Sequence, residues 1–258
     1  MLRALDHVVV AVADLDAART GWEALGFTVV PGGRHPPPAG THNALVALAD
    51  GTYFELIAFY EPTPAHRWWE PLRRGGGLVD LCAASDDLEG DAERWRRAGV
   101  AVTGPIARTR LRPDGVEVRW QLVMPAAGHR GLVPFLIRDE TPRTVRVPAE
   151  TGHPNGATGL AGVTLVAPDP TAVAALLEAA GARGGEPIRD PGLGGAGVRV
   201  HVGPHRVDVL RPAAPGSPLA EWLTARGPSP FAVTLAHAGG RSGILDPARA
   251  AGARLTWA

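Results

Sequence analysis

The stretch that decides the fold is residues 5–16, LDHVVVAVADLD, near the start of the 258-residue chain. Its first part is short, apolar and β-branched, which is typical of a buried strand. Asp14 or Asp16 can cap a following helix, and Gly26, twelve residues after Asp14, can end it. Three further strands are predicted at residues 27–30, 42–48 and 53–59. The unit is therefore a strand, a helix and three strands.

The same spacing of a helix-capping aspartate and a helix-ending glycine recurs along the chain. An aspartate stands twelve residues before a glycine at Asp14–Gly26, Asp87–Gly99 and Asp169–Gly181. Each aspartate follows an apolar, strand-like segment, and each glycine leads towards another strand. A fourth, shortened copy is expected over residues 231–257. Repetition of one supersecondary unit predicts an α+β protein assembled from tandem modules in a curled sheet.

Two linker-like segments divide these modules. Residues 142–155 are rich in Pro and Thr, and residues 211–218 are rich in Pro and Ala. We expect a first module pair at residues 1–141 and a second, more degenerate pair at residues 156–258.

Composition narrows the classes of partner. The 26 basic and 26 acidic residues give no net charge, which disfavours nucleic acid and anionic membranes as partners. No apolar run reaches the roughly 18 residues that a membrane helix needs. All the basic residues other than histidine are arginine, so a lysine Schiff base is excluded. The single cysteine, Cys82, allows no internal disulfide, and the first residues carry no secretion signal, so we expect a cytoplasmic protein.

A set of linked motifs resembles the glyoxalase-like branch of the vicinal oxygen chelate superfamily. The motifs lie at residues 5–9, 13–16, 25–27, 31–35, 40–45, 51–57 and 133–137. The resemblance implies paired βαβββ modules that form cupped mixed sheets around a small-molecule ligand. It also implies a divalent metal held by a histidine on the first strand and a glutamate on the last strand of each module. The superfamily includes isomerases, lyases, dioxygenases, epimerases and metal-free sequestering proteins, so the fold leaves the function open.

His7 and Glu55 occupy the two ligand positions of the first module and are the predicted catalytic residues. Glu55 lies in the middle of an apolar strand, where burial of an unpaired carboxylate costs several kcal/mol. It therefore either faces solvent or has a partner inside the cup. The alternative to a polar site is an exposed edge glutamate and a core histidine with its hydrogen bonds satisfied.

Aligning Asp14 with Asp87 places Asp80 opposite His7 and leaves only Phe135 near the position of Glu55. The predicted metal ligands are His7, Glu55 and Asp80. Two interpretations stay open. One divalent ion (Mg, Mn, Fe, Ni or Zn) is bound, with Mg, Mn or Fe(II) suiting the oxygen-rich set, or the metal is absent and the first two residues act as an acid–base pair.

Further cup residues follow from strand alternation. The predicted substrate-binding residues are His42, Asn43, Trp120 and Gln121. The aromatic cluster at residues 66–69 either covers the sheet or forms a homodimer contact. We expect an enzyme of lyase, isomerase or dioxygenase type that acts on an oxygenated small molecule. The alternative is a non-catalytic binding protein with the same fold and no metal.

Overall fold

The computed structural model describes residues 3–258 as an α+β protein with two mixed sheets. The first part contains β1 (Leu5–Ala11), α1 (Leu15–Ala24), β2 (Val30–His35), β3 (Thr41–Ala47), β4 (Tyr53–Phe59), α2 (Trp69–Arg73), β5 (Gly77–Ala84), α3 (Leu88–Arg97), β6 (Val102–Leu111), β7 (Glu117–Pro125), β8 (Phe135–Asp139) and α4 (Arg143–Arg146). The second part contains β9 (Ala157–Val166), α5 (Pro170–Ala179), β10 (Arg183–Asp190), β11 (Gly195–Val202), β12 (His205–Pro212), α6 (Pro218–Arg226), β13 (Ser229–His237) and β14 (Leu255–Trp257).

The three predicted cap aspartates begin the three repeated helices. The carboxylate of Asp14 accepts from two backbone N–H groups of α1, Asp87 accepts from one in α3, and Asp169 accepts from one in α5. Side-chain acceptors at this position satisfy N–H groups that have no partner within the helix. Trp22 of α1 and Trp95 of α3 are fully buried between their helices and the sheet. The repeat predicted from sequence is therefore present in the fold.

The first eight strands close into a barrel in the order β1-β4-β3-β2-β6-β7-β8-β5. Two cupped halves meet along the antiparallel pair β1–β5. They meet again at β2–β6, where a single residue pair, Arg34 with Leu111, completes the ring. The open cup implied by the resemblance is thus a barrel whose interior is enclosed by strands on every side.

A pseudo-twofold axis relates the two halves at the β1–β5 seam. His7 pairs with Cys82, and Val9 pairs with Asp80. An exchange of the strands maps His7 onto Asp80 and Val9 onto Cys82. The register therefore agrees with the sequence alignment that set Asp80 opposite His7.

The second sheet has six strands in the order β10-β11-β12-β9-β13-β14. Strands β9 to β12 with α5 repeat the βαβββ unit, and β13 with the three-residue β14 forms the shortened fourth copy. The proposed boundaries at residues 1–141 and 156–258 lie on either side of α4. The α4 residue Arg146 is buried against the barrel residues Asp6 and Asp139, so α4 packs with the barrel. Within residues 3–258, every helix is too short or too polar to span a bilayer.

Candidate functional site

The barrel encloses a cavity of about 500 Å³. Cavities of roughly 300–1,000 Å³ are the usual size for small-molecule sites. One part of the wall is apolar and is formed by Ile57, Trp68, Trp120, Leu122, Phe135 and Ile137. Another part is polar and is formed by His7, His35, Glu55, Arg67, Arg108 and Arg110. The cavity therefore combines an apolar surface with a few convergent polar groups.

The predicted pair His7 and Glu55 meets inside this cavity. The two residues are 3% and 8% exposed, and His7 Nε2 lies 3.7 Å from Glu55 Oε2. They come together because β1 and β4 are adjacent parallel strands whose side chains alternate between cavity and outer core. The Tyr53 ring stacks on the His7 ring at 4.5 Å between centroids and fixes its plane. The buried polar pair expected from sequence is present, and the exposed-edge alternative for Glu55 is not.

The buried carboxylate of Asp6 orients His7. Its Oδ1 lies 2.7 Å from His7 Nδ1, and Arg146 donates to both Asp6 oxygens at 3.0 Å. Burial alone would raise the pKa of Asp6, but Arg146 and the His7 hydrogen bond hold that pKa well below its ordinary value. Because an ionised carboxylate can only accept, Nδ1 of His7 carries the hydrogen, and in the neutral ring the Nε2 lone pair faces Glu55.

Glu55 is held on its other side by Asn43. The Asn43 side-chain amide donates to Glu55 Oε1 at 2.6 Å, and His35 Nε2 lies 4.0 Å from the same oxygen. Burial, reinforced by Arg110 and opposed by Glu55, lowers the pKa of His35 to about 4. His35 is therefore an uncharged imidazole at neutral pH. Glu55 thus has one oxygen fixed by Asn43 and the other turned to His7.

The structure does not bring Asp80 to this pair. The Asp80 side chain is fully buried and accepts from Arg67 Nε and Trp68 Nε1, both at 2.8 Å, and from the backbone N–H of Gly131 at 3.1 Å. Arg67 and Trp68 lie in the cavity wall, so this part of the aromatic cluster at residues 66–69 covers the sheet. Asp80 as a metal ligand stays a prediction, although its carboxylate already accepts from four donors, the fourth being the backbone N–H of residue 81.

The counterpart of Glu55 in the other half-barrel is apolar. Cys82 pairs with Phe135 in parallel register, as Val9 pairs with Glu55. The Phe135 ring meets the His7 ring edge-on at 5.4 Å between centroids. The half of the barrel opposite Glu55 therefore has an apolar ring at the position equivalent to that carboxylate.

The described residues do not fit a metal centre with three protein ligands, which is the usual minimum for a catalytic site. His7 and Glu55 offer two donors, and the His35 imidazole lies 4.0 Å from Glu55 Oε1, but the ligand atoms of these three residues do not all lie within 4.8 Å of one another. The cluster whose ligand atoms lie within 4.8 Å of one another is Asp6, His7 and Cys82. The Asp6 carboxylate is occupied by guanidinium groups, and burial raises the pKa of the Cys82 thiol well above its ordinary value. A cation there would need a thiolate that this environment disfavours and would lie next to arginine.

Because side chains alternate along a strand, two of the four predicted substrate-binding residues point inward and two point outward. Trp120 lines the cavity, and the Asn43 side chain points inward and donates to Glu55. The Gln121 side chain lies on the outer face, where it donates to Glu140 at 2.8 Å. His42 also lies outside the cavity wall, because it alternates with Asn43 along β3. The outward residues were predicted because the sequence alone did not give the face of each strand.

Sequence reasoning missed several polar residues of the site. Asp6 precedes His7 and could have been found as its orienting carboxylate. Arg108 and Arg110 stand two apart on β6, a spacing that puts both on one face. Arg146 comes from a segment that was interpreted as a linker, and no local pattern connects it to the cavity.

Comparison with known proteins agrees with this geometry. The sequence pattern of the glyoxalase-like domain family matches residues 5–181. A search among curated proteins finds no match. A hypothetical protein from Staphylococcus aureus is similar in structure with a TM-score of 0.73 and 15% identity, over 100% of this chain and 99% of that chain. A mutant of 4-hydroxymandelate synthase from Streptomyces coelicolor is similar with a TM-score of 0.63 and 18% identity, over 91% and 71% of the two chains. At these identities the similarity establishes the fold alone.

Proposed function

The chain belongs to the glyoxalase-like domain family of the vicinal oxygen chelate superfamily, and from that premise we propose that it is an enzyme. Its reaction is proton transfer on an oxygenated small molecule bound in the barrel. Glu55 and His7 are the acid–base pair. The observation that carries the proposal is the 3.7 Å approach of His7 Nε2 to Glu55 Oε2 inside the cavity.

The geometry suits a proton that is removed and returned. His7 Nε2 and Glu55 Oε2 both lie in the cavity wall and are 3.7 Å apart, so each can exchange a proton with a substrate atom placed beside them. General acid–base groups of this kind contribute about 10²–10⁴-fold to a rate. A carbon next to a carbonyl group is the reacting centre that such a pair can serve, because the carbonyl oxygen takes up the electron pair. This chemistry belongs to isomerases and lyases.

The neighbouring residues have positioning roles. Asp6 fixes the ring orientation of His7 through Nδ1, and Asn43 fixes one oxygen of Glu55. The Trp68 and Trp120 rings belong to the apolar part of the cavity wall. Exclusion of water strengthens every electrostatic interaction within the site.

Deuterium exchange tests this function without knowledge of the final product. The protein is incubated in D₂O with a set of small aldehydes, ketones, 2-oxo acids and thioesters, and exchange at carbons next to the carbonyl is followed by proton NMR. The parent is expected to accelerate exchange in at least one compound. Glu55→Gln is expected to lower that rate about 10²–10⁴-fold. Glu140→Gln, a carboxylate on the outer surface of the same barrel, is the matched control and keeps the parent rate.

Two outcomes contradict the proposal. Exchange that survives Glu55→Gln would remove Glu55 from the chemistry. A ligand that binds in the cavity and is recovered with all its hydrogens would favour the alternative of a non-catalytic binding protein. Elemental analysis of the parent and of Glu55→Gln separates acid–base from metal chemistry, because a divalent ion present in the parent and lost in the variant would make Glu55 a metal ligand.

A further inference from the structure

The cavity wall carries an excess of positive charge. Four arginines line it, Arg67, Arg108, Arg110 and Arg146, against one carboxylate, that of Glu55. Aspartates behind the wall pair with Arg67 and Arg146. Arg108 and Arg110 donate instead to uncharged oxygens of backbone and amide groups. Among the described residues, these two guanidinium groups therefore line the cavity without a direct ion pair to a carboxylate, although the Glu55 carboxylate is close enough to Arg110 to act on its pKa.

Arg110 is the more constrained of these two cations. It is only 3% exposed, and its Nη2 donates to the Arg146 carbonyl at 2.7 Å. Its Nη1 lies 3.5 Å from Asn43 Oδ1, and its Nε is buried without a hydrogen-bond partner in the described part of the chain. Burial lowers the pKa of Arg110, yet guanidinium groups stay protonated in proteins. A buried cation without an ion pair is costly unless a ligand supplies negative charge.

Arg67 carries a second N–H group that has no hydrogen-bond partner. Arg67 Nη2 is buried without a partner among residues 3–258, while its Nε and Nη1 are bonded to Asp80 and to the Pro125 carbonyl. Arg67 and Arg110 thus both line the cavity, and each carries one buried N–H group without a hydrogen-bond partner. Arg110 is the one next to the reacting pair, because Asn43 contacts both Arg110 and Glu55.

We propose that the substrate is a small 2-oxo acid whose carboxylate binds Arg110. The inference rests on the proposed proton transfer at Glu55, which requires a carbonyl as the electron acceptor. A carboxylate on Arg110 places the neighbouring ketone carbon, and the C3 hydrogens beyond it, beside Glu55. The apolar wall around Trp68 and Trp120 then takes an apolar substituent.

The chemical step balances without an added reagent. Glu55 takes a proton from C3, the C3–H electron pair forms a C2=C3 double bond, and the ketone π electrons move to oxygen. The result is an enolate whose added charge lies in a wall rich in guanidinium groups. Return of a proton to C3 restores the oxo acid or its mirror-image isomer at C3.

Paired ligands test the carboxylate requirement. Calorimetric titrations use pyruvate, 2-oxobutyrate, 4-methyl-2-oxopentanoate and phenylpyruvate, each beside its amide. At least one acid is expected to bind, with its amide weaker by about tenfold or more, as for loss of a charge-assisted hydrogen bond. Arg110→Met is expected to weaken acid binding about tenfold to hundredfold and to leave amide binding unchanged. Arg110→Lys, which keeps the charge, is expected to recover part of the loss.

Arg112→Met is the matched control. Arg112 Nη1 donates to the Val145 carbonyl at 3.1 Å, much as Arg110 Nη2 donates to the next carbonyl, but Arg112 is not part of the cavity wall. This variant is expected to bind the acids as the parent does. Melting temperatures of the two Met variants show whether loss of the backbone contact alone explains an effect.

Three results overturn the inference: equal binding of acids and amides, parent-like acid binding by Arg110→Met, or no binding of any acid at millimolar concentration. The outcome for the proposed function is separate. Acids that bind through Arg110 but show no C3 deuterium exchange sustain the inference and refute the proton transfer. Exchange in neutral ketones that depends on Glu55 and not on Arg110 sustains the function and refutes the inference.

Discussion

Replacement of His35 by glutamine should remove a large part of the acid sensitivity of this protein. The pKa of His35 is lowered from 6.5 to about 4, chiefly by burial. Below pH 6.5 the unfolded chain therefore takes up a proton at this residue before the folded chain does. Stability is fully present above the unfolded pKa and is lost as the pH falls towards the folded pKa. One pKa unit corresponds to about 1.4 kcal/mol, so this histidine alone costs about 3 kcal/mol between pH 7 and pH 4.

Urea unfolding at several pH values between 7 and 4 measures the effect. The parent free energy of unfolding is expected to fall more steeply than that of His35→Gln, with a difference of about 3 kcal/mol across the window. Glutamine keeps a donor and an acceptor for the Thr41 hydroxyl, which lies 2.9 Å from His35 Nδ1, so the two proteins should be similar at pH 7. Other titrating groups are present in both proteins and cancel in the difference.

His201→Gln controls for the loss of an imidazole, because His201 lies on β11 of the six-stranded sheet, away from the cavity. The reasoning is refuted if the curves of parent and His35→Gln run parallel from pH 7 to pH 4. That result would mean that His35 is as easily protonated in the folded chain as in the unfolded chain. His35 could then carry a positive charge beside Glu55 at mildly acidic pH.

Two further predictions concern the residues that shape the site. Asp80→Asn should lower the free energy of unfolding by about 3–5 kcal/mol, because it leaves the largely buried guanidinium of Arg67 without its charge partner. The metal content of the protein should not change. A loss of bound metal with little loss of stability would instead make Asp80 a metal ligand. Gly32→Ala places a Cβ 2.1 Å from Asn43 Oδ1 and should slow deuterium exchange about tenfold or more by displacing that amide. Gly128→Ala, with no atom within 4 Å of its added Cβ, should be neutral, and equal rates in both variants would exclude a role for Asn43.

The repeat was predictable from sequence because its signals are local. Asp14, Asp87 and Asp169 each accept backbone hydrogen bonds from residues two or three positions ahead, so the same spacing recurs wherever the same turn forms. The pairing of β1 with β5 then follows from the module symmetry, which the register of His7 with Cys82 reproduces. Closure of the barrel was not predictable, since it depends on one contact between β2 and β6.

Only the His7–Glu55 pair of the site was predictable from sequence. Glu55 in an apolar strand required a buried partner, and alternation placed His7 within reach. The occupation of Asp80 could not be predicted, because its partner Arg67 lies 13 residues earlier in a segment without strand periodicity. Arg146 likewise contacts Asp6 across 140 residues of sequence. Contacts between irregular segments and distant strands leave no period in the sequence.

The two halves of the barrel carry different groups at equivalent positions of the cavity. A metal shared across the pseudo-twofold axis would need donors from both halves, and here Asp80 is bonded to Arg67 and Phe135 has no donor atom. We propose that the positive charge for an oxygenated ligand is instead supplied by Arg110, which reaches Glu55 from the other half of the barrel through their shared contact with Asn43. A guanidinium holds oxygen atoms through directed hydrogen bonds, without removing donors from the acid–base pair. In the mechanism that we propose, the apolar counterpart of Glu55 and the buried Arg110 are parts of one arrangement, in which arginine orients the ligand and Glu55 moves its proton.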